Sequence, residues 1–394
     1  MIEKIRRIKA KDIRAFFLVA IALIPGLILR QKSKIWLISE RKDDAKDNGF
    51  YLFKYLRLYE KNVEAFYSID LNSKDFDKMK NLGNVIQFGS FKHYIYTWAC
   101  RVNVSSQIGA GYPNSKICYT LQRLNIFKSK FVFLQHGVTC NKPQWLLAKY
   151  NKVDLFCCAS EQERKFVANE LGYGNSAVTL GFCRFDGLDN INKQRQILFM
   201  PTWRSYLFDS DIFHDEKQRE QALLRSEYYI QIMNILNNKE LQEKLQENNI
   251  KLIFYLHDNA QPHESYFKTQ CKWIINAKKE DFDIQTLLKE SSYLITDYSS
   301  VAFDFAYLKK PVLYYQFDYK EFRSKHYEEG YFKYDLEGFG EVAYTSQEAL
   351  GNIIAAIDSE FENHYIYQER AKKFFYTFDQ ENCKRTYEAI SCLL

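Results

Sequence analysis

The chain of 394 residues is long enough for two domains, and its 46% hydrophobic and 26% charged residues exclude a largely disordered protein. A net charge of +6 is compatible with phosphate-bearing ligands or an anionic membrane surface. No basic patch interleaved with aromatic residues indicates a nucleic-acid module, so we expect no nucleic-acid partner. The nine cysteines form no C-x-x-C pair, which favours reduced thiols in the cytosol over disulfides or a zinc site.

The first predicted element is an uncharged apolar segment, residues 15–29, with Lys and Arg clusters on both sides. Fifteen residues are fewer than the roughly 20 that a membrane-spanning helix needs. No small-residue cleavage site follows, as it would in a signal peptide. We therefore predict that residues 1–33 form an amphipathic segment at the surface of an anionic membrane. The alternative is a hydrophobic first helix packed on the body of the protein.

Short apolar runs then alternate with helical patterns, which is typical of parallel α/β sheets. In the first half, strands are predicted at residues 34–39, 63–69, 84–88, 102–106, 131–134, 154–158 and 177–180. After a polar linker, the second-half strands are predicted at residues 196–200, 251–256, 273–275, 293–295 and 311–315. Helices are predicted from the first strand to about residue 58, at 161–171, 227–247 and 282–290, and in the C-terminal tail.

Two Rossmann-like domains facing a central cleft are the natural α/β architecture for this pattern. The predicted domains are residues 34–186 and 187–394, with the linker at residues 186–194. In such sheets, ligands bind outside the carboxyl ends of the strands. Reactive side chains directly after the predicted strands are therefore the candidates for a ligand site.

Two histidines stand at such positions. His136 belongs to a Gln-His-Gly turn after the strand that ends at residue 134, and His257 follows the strand that ends at residue 256. A histidine there can act as a general base near neutral pH or donate to a phosphate oxygen. The alternative for each is a structural hydrogen bond.

Further polar residues follow two strands of the second half. Thr202 and Arg204 lie in the loop after the strand at 196–200, where arginine could hold a phosphate or form a surface salt bridge. Asp297, Ser299 and Ser300 precede an apolar helix, where they could contact a diphosphate or simply cap the helix. Asp304, one turn further on, could cap the helix or orient a ligand hydroxyl.

Together these motifs resemble the CDP-glycerol:poly(glycerophosphate) glycerophosphotransferase family, which includes teichoic acid primases and polymerases. The matching pieces are Asp47-Asn48, Gln135-His-Gly-Val-Thr139, Gly181-Phe-Cys-Arg-Phe-Asp186, Pro201-Thr-Trp-Arg204, His257 and the Asp297-Tyr-Ser-Ser block that runs to Pro311. Three positions depart from the family pattern: Gln135 stands where the family often has tryptophan, and Cys183 and Asp258 stand where it has proline.

The resemblance implies a GT-B-like fold and transfer of glycerol phosphate or ribitol phosphate from CDP-glycerol or CDP-ribitol, with release of CMP. His136 would deprotonate the acceptor hydroxyl. His257, the second catalytic residue, would stabilise charge on the phosphates together with Arg204 and the helix start at Ser299-Ser300. The donor-binding residues would be Arg204, Thr202, Asp297, Ser299, Ser300 and Asp304. The implied acceptor is a saccharide linked to undecaprenyl diphosphate at the cytoplasmic face of the cell membrane. No metal or other cofactor is implied. The alternative activity is that of a GT-B glycosyltransferase that uses a nucleotide sugar.

Overall fold

Two parallel sheets, one in each half of the chain, organise the computed structural model. It describes residues 9–188, 194–209, 212–213, 215–375 and 377–394, so residues 1–8 of the predicted amphipathic segment and most of the predicted linker lie outside the described residues. The predicted α/β class is confirmed. The strands are short and mostly buried along their whole length, as expected of parallel sheets covered by helices.

The first sheet has seven strands in the order β3-β2-β1-β4-β5-β6-β7. They are β1 Trp36–Ser39, β2 Ala65–Ile69, β3 Val85–Gln87, β4 Val102–Ser105, β5 Lys130–Phe133, β6 Leu155–Cys158 and β7 Ala177–Thr179. The strand order reverses between β1 and β4, which makes their carboxyl ends the switch point of this sheet.

The second sheet has six strands in the order β10-β9-β8-β11-β12-β13, with its switch point between β8 and β11. They are β8 Gln196–Phe199, β9 Lys251–Tyr255, β10 Ile274–Ala277, β11 Tyr293–Thr296, β12 Val312–Tyr315 and β13 Gly340–Ala343. Strand β13 was not predicted. Its glycine packs so closely on β12 that an added Cβ would lie 1.6 Å from the carbonyl oxygen of Val312.

The α-helices connect and cover these strands. In chain order they are α1 Ala10–Lys32, α2 Asn48–Tyr59, α3 Phe91–Ala99, α4 Ser115–Arg123, α5 Glu161–Asn169, α6 Ser205–Phe208, α7 Glu216–Leu224, α8 Glu227–Leu236, α9 Lys239–Glu247, α10 Ile284–Glu290, α11 Val301–Tyr307, α12 Tyr319–Lys325, α13 Tyr334–Glu337, α14 Ser346–Asp358, α15 Tyr365–Phe374 and α16 Asn382–Leu393. Short 3₁₀ helices lie at Lys74–Lys78, Gln144–Leu146, Gly174–Ser176, Cys183–Gly187 and Gln261–Tyr266. The single helix predicted at 227–247 is two helices, because Asn237 ends the first and the Asn238 side chain caps the second.

The chain forms two compact units. Unit 1 comprises the described residues of Met1–Val138, Gln144–Gly187 and Tyr376–Leu394, and unit 2 those of Thr139–Pro143 and Leu188–Phe375. The structure differs here from the predicted division, which placed the whole C-terminal tail in the second domain. Helix α16 instead packs in unit 1, where Cys383 and Ile390 join the core around β1. The Asp186 carboxylate ties this helix down by accepting from the backbone of Asn382 (3.0 Å) and Cys383 (2.7 Å).

Helix α1 is longer than the uncharged stretch that predicted it, and it packs on unit 1 along one face. That face carries Asp12, Ala15, Val19, Ala22 and Gly26, whose spacing of three and four residues makes a single stripe. The stripe contacts α3 closely, since a Cβ on Gly26 would lie 2.3 Å from the Cβ of Trp98.

Large apolar side chains cover the outer face of α1, so the two faces of the helix differ in side-chain size and not in polarity. Exposed residues on it are Ile13, Phe16, Phe17, Ile21, Ile24, Leu27 and Ile28. By length and composition, α1 is the one helix in the described part of the chain that is apolar enough to cross a membrane. Small residues therefore pack against the protein, while the bulky apolar ones face away from it.

Candidate active-site residues

His136 follows β5 directly, in a turn that Gln135 fixes. Gln135 is buried and adopts a left-handed backbone conformation with φ of 61°, which is uncommon for a residue other than glycine. Its side-chain amide donates to the carbonyl of Cys157 (2.6 Å) and to the Glu163 carboxylate (3.0 Å). The Gln135 side chain is thereby held inside unit 1, and His136, which follows it, is exposed.

Residues after β1 and β7 hold this turn from the other side. The Asn48 amide donates to the carbonyls of Leu134 (3.2 Å) and Gln135 (2.8 Å) and accepts from the backbone N–H of Arg184 (3.0 Å). The Arg184 guanidinium in turn donates to the Asp47 carboxylate at 3.0 Å. The sequence matches at Asp47-Asn48 and Gly181–Asp186 thus meet beside His136, although we had assigned them no role.

Glu40 supports the same loop and was not predicted. Its buried carboxylate accepts from the backbone N–H groups of Lys46, Asp47 and Phe50, at distances from 2.7 to 3.2 Å. Burial raises the pKa of Glu40 to about 8, with the Asp47 carboxylate acting in the same direction and the N–H donors against it. Glu40 directly follows β1, so the strand-end rule that found His136 could have found it.

The charges around His136 act on its pKa in opposite directions. Desolvation by the protein atoms packed around the ring lowers this pKa most, although the residue also reaches solvent. The Asp47 carboxylate raises it, Arg41 and Arg184 lower it, and a hydrogen bond with the backbone of Ser106 raises it. With a lowered pKa, the imidazole is neutral at pH 7. If its one N–H points at the Ser106 carbonyl, the other ring nitrogen has a lone pair that can accept a proton.

In unit 2, Thr202, Arg204 and Asp297 meet at the switch point between β8 and β11. One carboxylate oxygen of Asp297 accepts from the Thr202 backbone (2.8 Å), the Thr202 hydroxyl (2.6 Å) and the Tyr298 backbone (2.6 Å). The other oxygen accepts from Arg204 at 2.8 Å. The sequence prediction had placed these residues in two separate loops, and the structure joins them.

Arg204 is fully buried, which corrects both of its predicted roles. Its guanidinium donates to Asp297 and twice to Asp318, at 2.6 and 2.9 Å, and these two carboxylates are also buried. Desolvation lowers its pKa, but the two carboxylates outweigh that effect and raise it well above the usual value. A phosphate cannot reach this guanidinium, and the salt bridge is not at the surface.

Asp318 completes this group and was missed by the sequence reasoning. It lies three residues after β12, so the same strand-end rule would have selected it. We call Thr202, Arg204, Asp297 and Asp318 the Arg204 cluster. Its polar contacts fix the loops after β8, β11 and β12 to one another.

His257 follows β9 and lies against Trp203 of the β8 loop. The two rings are stacked, with centroids 5.9 Å apart and planes 19° apart. The Nδ1 atom of His257 accepts from the backbone N–H of Asn259 at 3.2 Å, so the proton of the neutral ring is on Nε2. His257 is half-buried.

Another histidine, His326, also contacts Trp203, and the sequence did not predict it. Its ring meets Trp203 edge-on at 5.1 Å, and its Nδ1 lies 2.8 Å from the Ser205 hydroxyl. Desolvation, aided by Arg204 and His257, lowers the pKa of His326 to about 3. This imidazole is therefore neutral near pH 7.

Ser299 and Ser300 lie after β11 and are half-buried. Ser300 precedes α11 without a side-chain capping bond, and the Ser299 hydroxyl accepts only a long bond of 3.4 Å from Val301. Simple capping therefore uses these hydroxyls little. Asp304 differs, since it is buried within α11, which corrects the prediction that it could orient a ligand hydroxyl.

No set of three or more His, Cys, Asp or Glu side chains is placed to hold a metal ion within the described ranges.

Comparison with known proteins gives a family match over most of the chain. Residues 26–392 match the family model described as CDP-Glycerol:Poly(glycerophosphate) glycerophosphotransferase. The minor teichoic acid biosynthesis protein GgaB of Bacillus subtilis (strain 168) is 31% identical over 371 residues, which are 91% of this chain. That alignment covers 40% of GgaB, so this chain spans about two fifths of the relative's length. A teichoic acid glycerol-phosphate primase of Bacillus spizizenii is 31% identical over 127 residues, 32% of this chain and 26% of the primase.

Solved structures share the fold at low sequence identity. A structure of the wall teichoic acid polymerase TagF superposes with a TM-score of 0.64 at 15% identity, covering 97% of this chain and 95% of TagF. Another TagF structure, with a TM-score of 0.63 at 14% identity and covering 98% of both chains, was obtained after a 15-minute soak with CDPG.

Proposed function

Because the chain belongs to the CDP-glycerol:poly(glycerophosphate) glycerophosphotransferase family, we propose that it transfers glycerol phosphate from CDP-glycerol to an acceptor hydroxyl and releases CMP. CDP-ribitol is the alternative donor. The acceptor is a saccharide or polymer of teichoic acid or capsule biosynthesis, carried on undecaprenyl diphosphate. The GgaB, primase and TagF likenesses support this pathway class.

The observation that carries the proposal is the exposed His136, which a hydrogen-bonded turn holds directly after β5. His136 takes the proton of the acceptor hydroxyl, whose oxygen attacks the β-phosphorus of the donor. The bond between the β-phosphorus and the bridging oxygen breaks, and CMP leaves with that oxygen. The new bond is a phosphodiester between acceptor and glycerol.

In unit 2, His257, Ser299 and Ser300 serve the donor phosphates. Their polar atoms follow β9 and β11, and the Ser299 and Ser300 hydroxyls are largely unused by helix capping. Donors directed at the phosphate oxygens stabilise the charge that moves to CMP in the transition state. The Arg204 cluster contributes by fixing the loop that carries Trp203, and hence the ring against which His257 stacks.

The direct test is to incubate the protein with CDP-glycerol, CDP-ribitol and common nucleotide sugars together with a short lipid-linked acceptor. We expect CMP and an extended acceptor from a CDP-alditol, and no UDP or GDP from nucleotide sugars. His136→Asn and His257→Ala should each reduce CMP release. Release of UDP or GDP from a nucleotide sugar would instead establish the glycosyltransferase alternative.

We also propose that the protein is peripheral at the cytoplasmic face of the membrane, with α1 lying in the interface. The helix is attached to unit 1 along its length, which favours a helix that lies on the bilayer over one that crosses it. Near its start, Asp12 accepts from Asn114 at 3.0 Å, and near its end Arg30 donates to the carbonyls of Lys128, at 2.9 Å, and Cys100. Its outer face then presents apolar side chains to the acyl boundary.

Point variants test this better than a truncation, because removing α1 would uncover the α3 surface that it buries. Phe16→Ser with Ile24→Ser changes side chains that are 61% and 69% exposed. We expect this double variant to stay folded and to lose co-sedimentation with anionic vesicles. The matched control is Leu336→Ser with Ile366→Ser, at 73% and 55% exposure in unit 2. Equal vesicle binding by both double variants would exclude α1 as the membrane contact.

A further inference from the structure

Unit 1 contains a cavity of about 650 Å³ that none of the proposed catalytic residues lines. Its walls come from the start of α1, the residues after β1, the residues after β3 and the segment from 110 to 116 that leads into α4. The carboxyl ends of β1 and β4 form the switch point of the first sheet. The cavity therefore lies where doubly wound sheets bind ligands.

The lining is strongly basic. Six cationic side chains line the cavity, namely Lys9, Lys11, Arg14, Arg41, Lys42 and Lys116, against the single carboxylate of Asp12. Asp12 is buried and already accepts from Asn114 (3.0 Å), the Lys9 backbone (3.0 Å) and Lys116 (3.5 Å). Lys42 also has a surface partner, Asp43, at 3.4 Å. A concave surface with this excess of positive charge attracts a compact anion of high charge, such as a phosphate or diphosphate.

The apolar face of α1 adjoins this basic lining. The exposed apolar residues Ile13, Phe16 and Phe17 lie in the same two helical turns as the lining cations Lys11 and Arg14. From Ile13 to Ile28 the apolar face extends over about 22 Å at 1.5 Å per residue. A ligand with a charged head and a long hydrocarbon chain matches both surfaces, whereas a soluble phosphate compound matches only one.

Arg41 links the cavity to the proposed base. It lines the cavity and directly follows Glu40, whose carboxylate accepts from the Asp47 backbone in the loop beside His136, so the two sites are neighbours in unit 1. A phosphate group held in the cavity would thus place the molecule attached to it beside His136.

We propose that this cavity binds the phosphate or diphosphate head group of a membrane lipid, whose hydrocarbon chain lies along the outer face of α1. That this lipid is the carrier of the acceptor rests on the proposed function. Recognition of the phosphorylated head group depends on the cavity alone. The cavity is then the site that selects the carrier lipid from the surrounding anionic phospholipids.

The test compares two pairs of cations of equal charge on the full chain. Lys11→Gln with Lys42→Gln removes two charges from the cavity, and Lys32→Gln with Lys34→Gln removes two exposed charges beside the other end of α1. Binding is measured, without donor, to phosphatidylcholine vesicles that contain a polyprenyl diphosphate or, at equal surface charge, phosphatidylserine. Each lost cation weakens attraction to either anionic surface.

We expect the cavity variant to bind polyprenyl diphosphate vesicles about tenfold more weakly than the control variant, which is the loss of roughly one charge-assisted contact. Both variants should bind phosphatidylserine vesicles equally. An equal loss on both vesicle types would overturn the proposal, because the cavity would then supply only general attraction. Calorimetry with inorganic pyrophosphate and with CDP-glycerol tests whether a soluble phosphate compound, and not a lipid, is the ligand of the cavity. If either soluble compound binds the cavity as tightly as the lipid does, the lipid assignment is wrong.

Catalysis separates this proposal from the proposed function. With a soluble acceptor, the cavity variant should release CMP from CDP-glycerol at the rate of the control variant. No CMP from any variant, with lipid selectivity intact, would refute the transferase activity and leave the lipid site standing.

Discussion

The two units use polar residues after their strands in opposite ways. In unit 1, His136 is exposed, and buried neighbours hold the turn that presents it. In unit 2, Arg204 is fully buried, and its guanidinium forms salt bridges with Asp297 and Asp318. From the sequence alone the two residues were equivalent candidates for ligand contact. The difference teaches that a position after a strand locates a residue at the ligand edge of the sheet, while its partners decide whether it faces the ligand.

The largest expected effect comes from Arg204→Met. Removing the guanidinium leaves two buried carboxylates without their cation, which should reduce the free energy of unfolding by about 3–5 kcal/mol. Urea denaturation measures this effect. Arg225→Met, at an exposed arginine of the same unit, should change stability by less than about 0.5 kcal/mol. A stable Arg204→Met protein with impaired donor binding would contradict this structural role and show that Arg204 contacts the donor.

His136→Asn should show the opposite behaviour, with stability retained and activity lost. Without a general base we expect turnover to fall at least about a hundredfold. Thermal unfolding should be little changed, since Gln135 and Asn48 hold the turn through other atoms. His364→Asn, at an exposed histidine of unit 2, is the matched control for turnover. A folded His136→Asn enzyme with near-normal CMP release would remove His136 from the mechanism.

Much of the fold was predictable because the signals are local. Each of the twelve predicted strands overlaps an observed one, since apolar runs bounded by polar loops mark buried parallel strands. Strand β13 escaped because it is short, begins with Gly340 and carries the exposed Glu341. Helix α1 extended beyond its apolar stretch because Asp12 and Arg30, which look like flanking charges, make contacts with unit 1.

The candidate site was less predictable because its partners are distant in sequence. Arg204 and Asp318 are 114 residues apart, and Asn48 and Gln135 are 87 apart. Their position after a predicted strand placed His136, His257, Thr202 and Asp297 at the carboxyl-end edge of a sheet, where the structure also has them. It did not reveal that Arg204 and Asp304 are buried, because burial depends on the packing of several segments.

A smaller effect is expected for the pair Ser299→Ala and Ser300→Ala. If their hydroxyls contact the donor phosphates, calorimetry should show weaker binding of CDP-glycerol, while stability falls by no more than about 1 kcal/mol. Ser226→Ala is a useful control, because this serine caps α8 by accepting from Tyr229 at 3.1 Å. It should cost similar stability without affecting the donor. Donor affinity that is unchanged in the double variant would exclude the two serines from the site.

The smallest expected effect is a shift of the pH profile, and it tests whether the charges of unit 1 act on His136 itself. Desolvation sets most of the lowering of its pKa, and Asp47 and Arg41 then act with opposite signs. Asp47→Asn removes an influence that raises this pKa, so the pKa should fall. Arg41→Gln removes one that lowers it, so the pKa should rise. Asparagine still caps α2, which keeps the loop intact.

Because the base must be unprotonated, kcat/KM declines as the pH falls through the pKa of His136. The acid limb should therefore move to lower pH in Asp47→Asn and to higher pH in Arg41→Gln. Both shifts should shrink in 1 M salt, since part of each interaction passes through solvent. An acid limb that moves in the same direction in both variants would mean that they alter the loop and not the charge at His136. An acid limb that moves in neither would mean that another group sets the profile, and the contrast between an electrostatically tuned unit 1 and a structurally locked unit 2 would then fail.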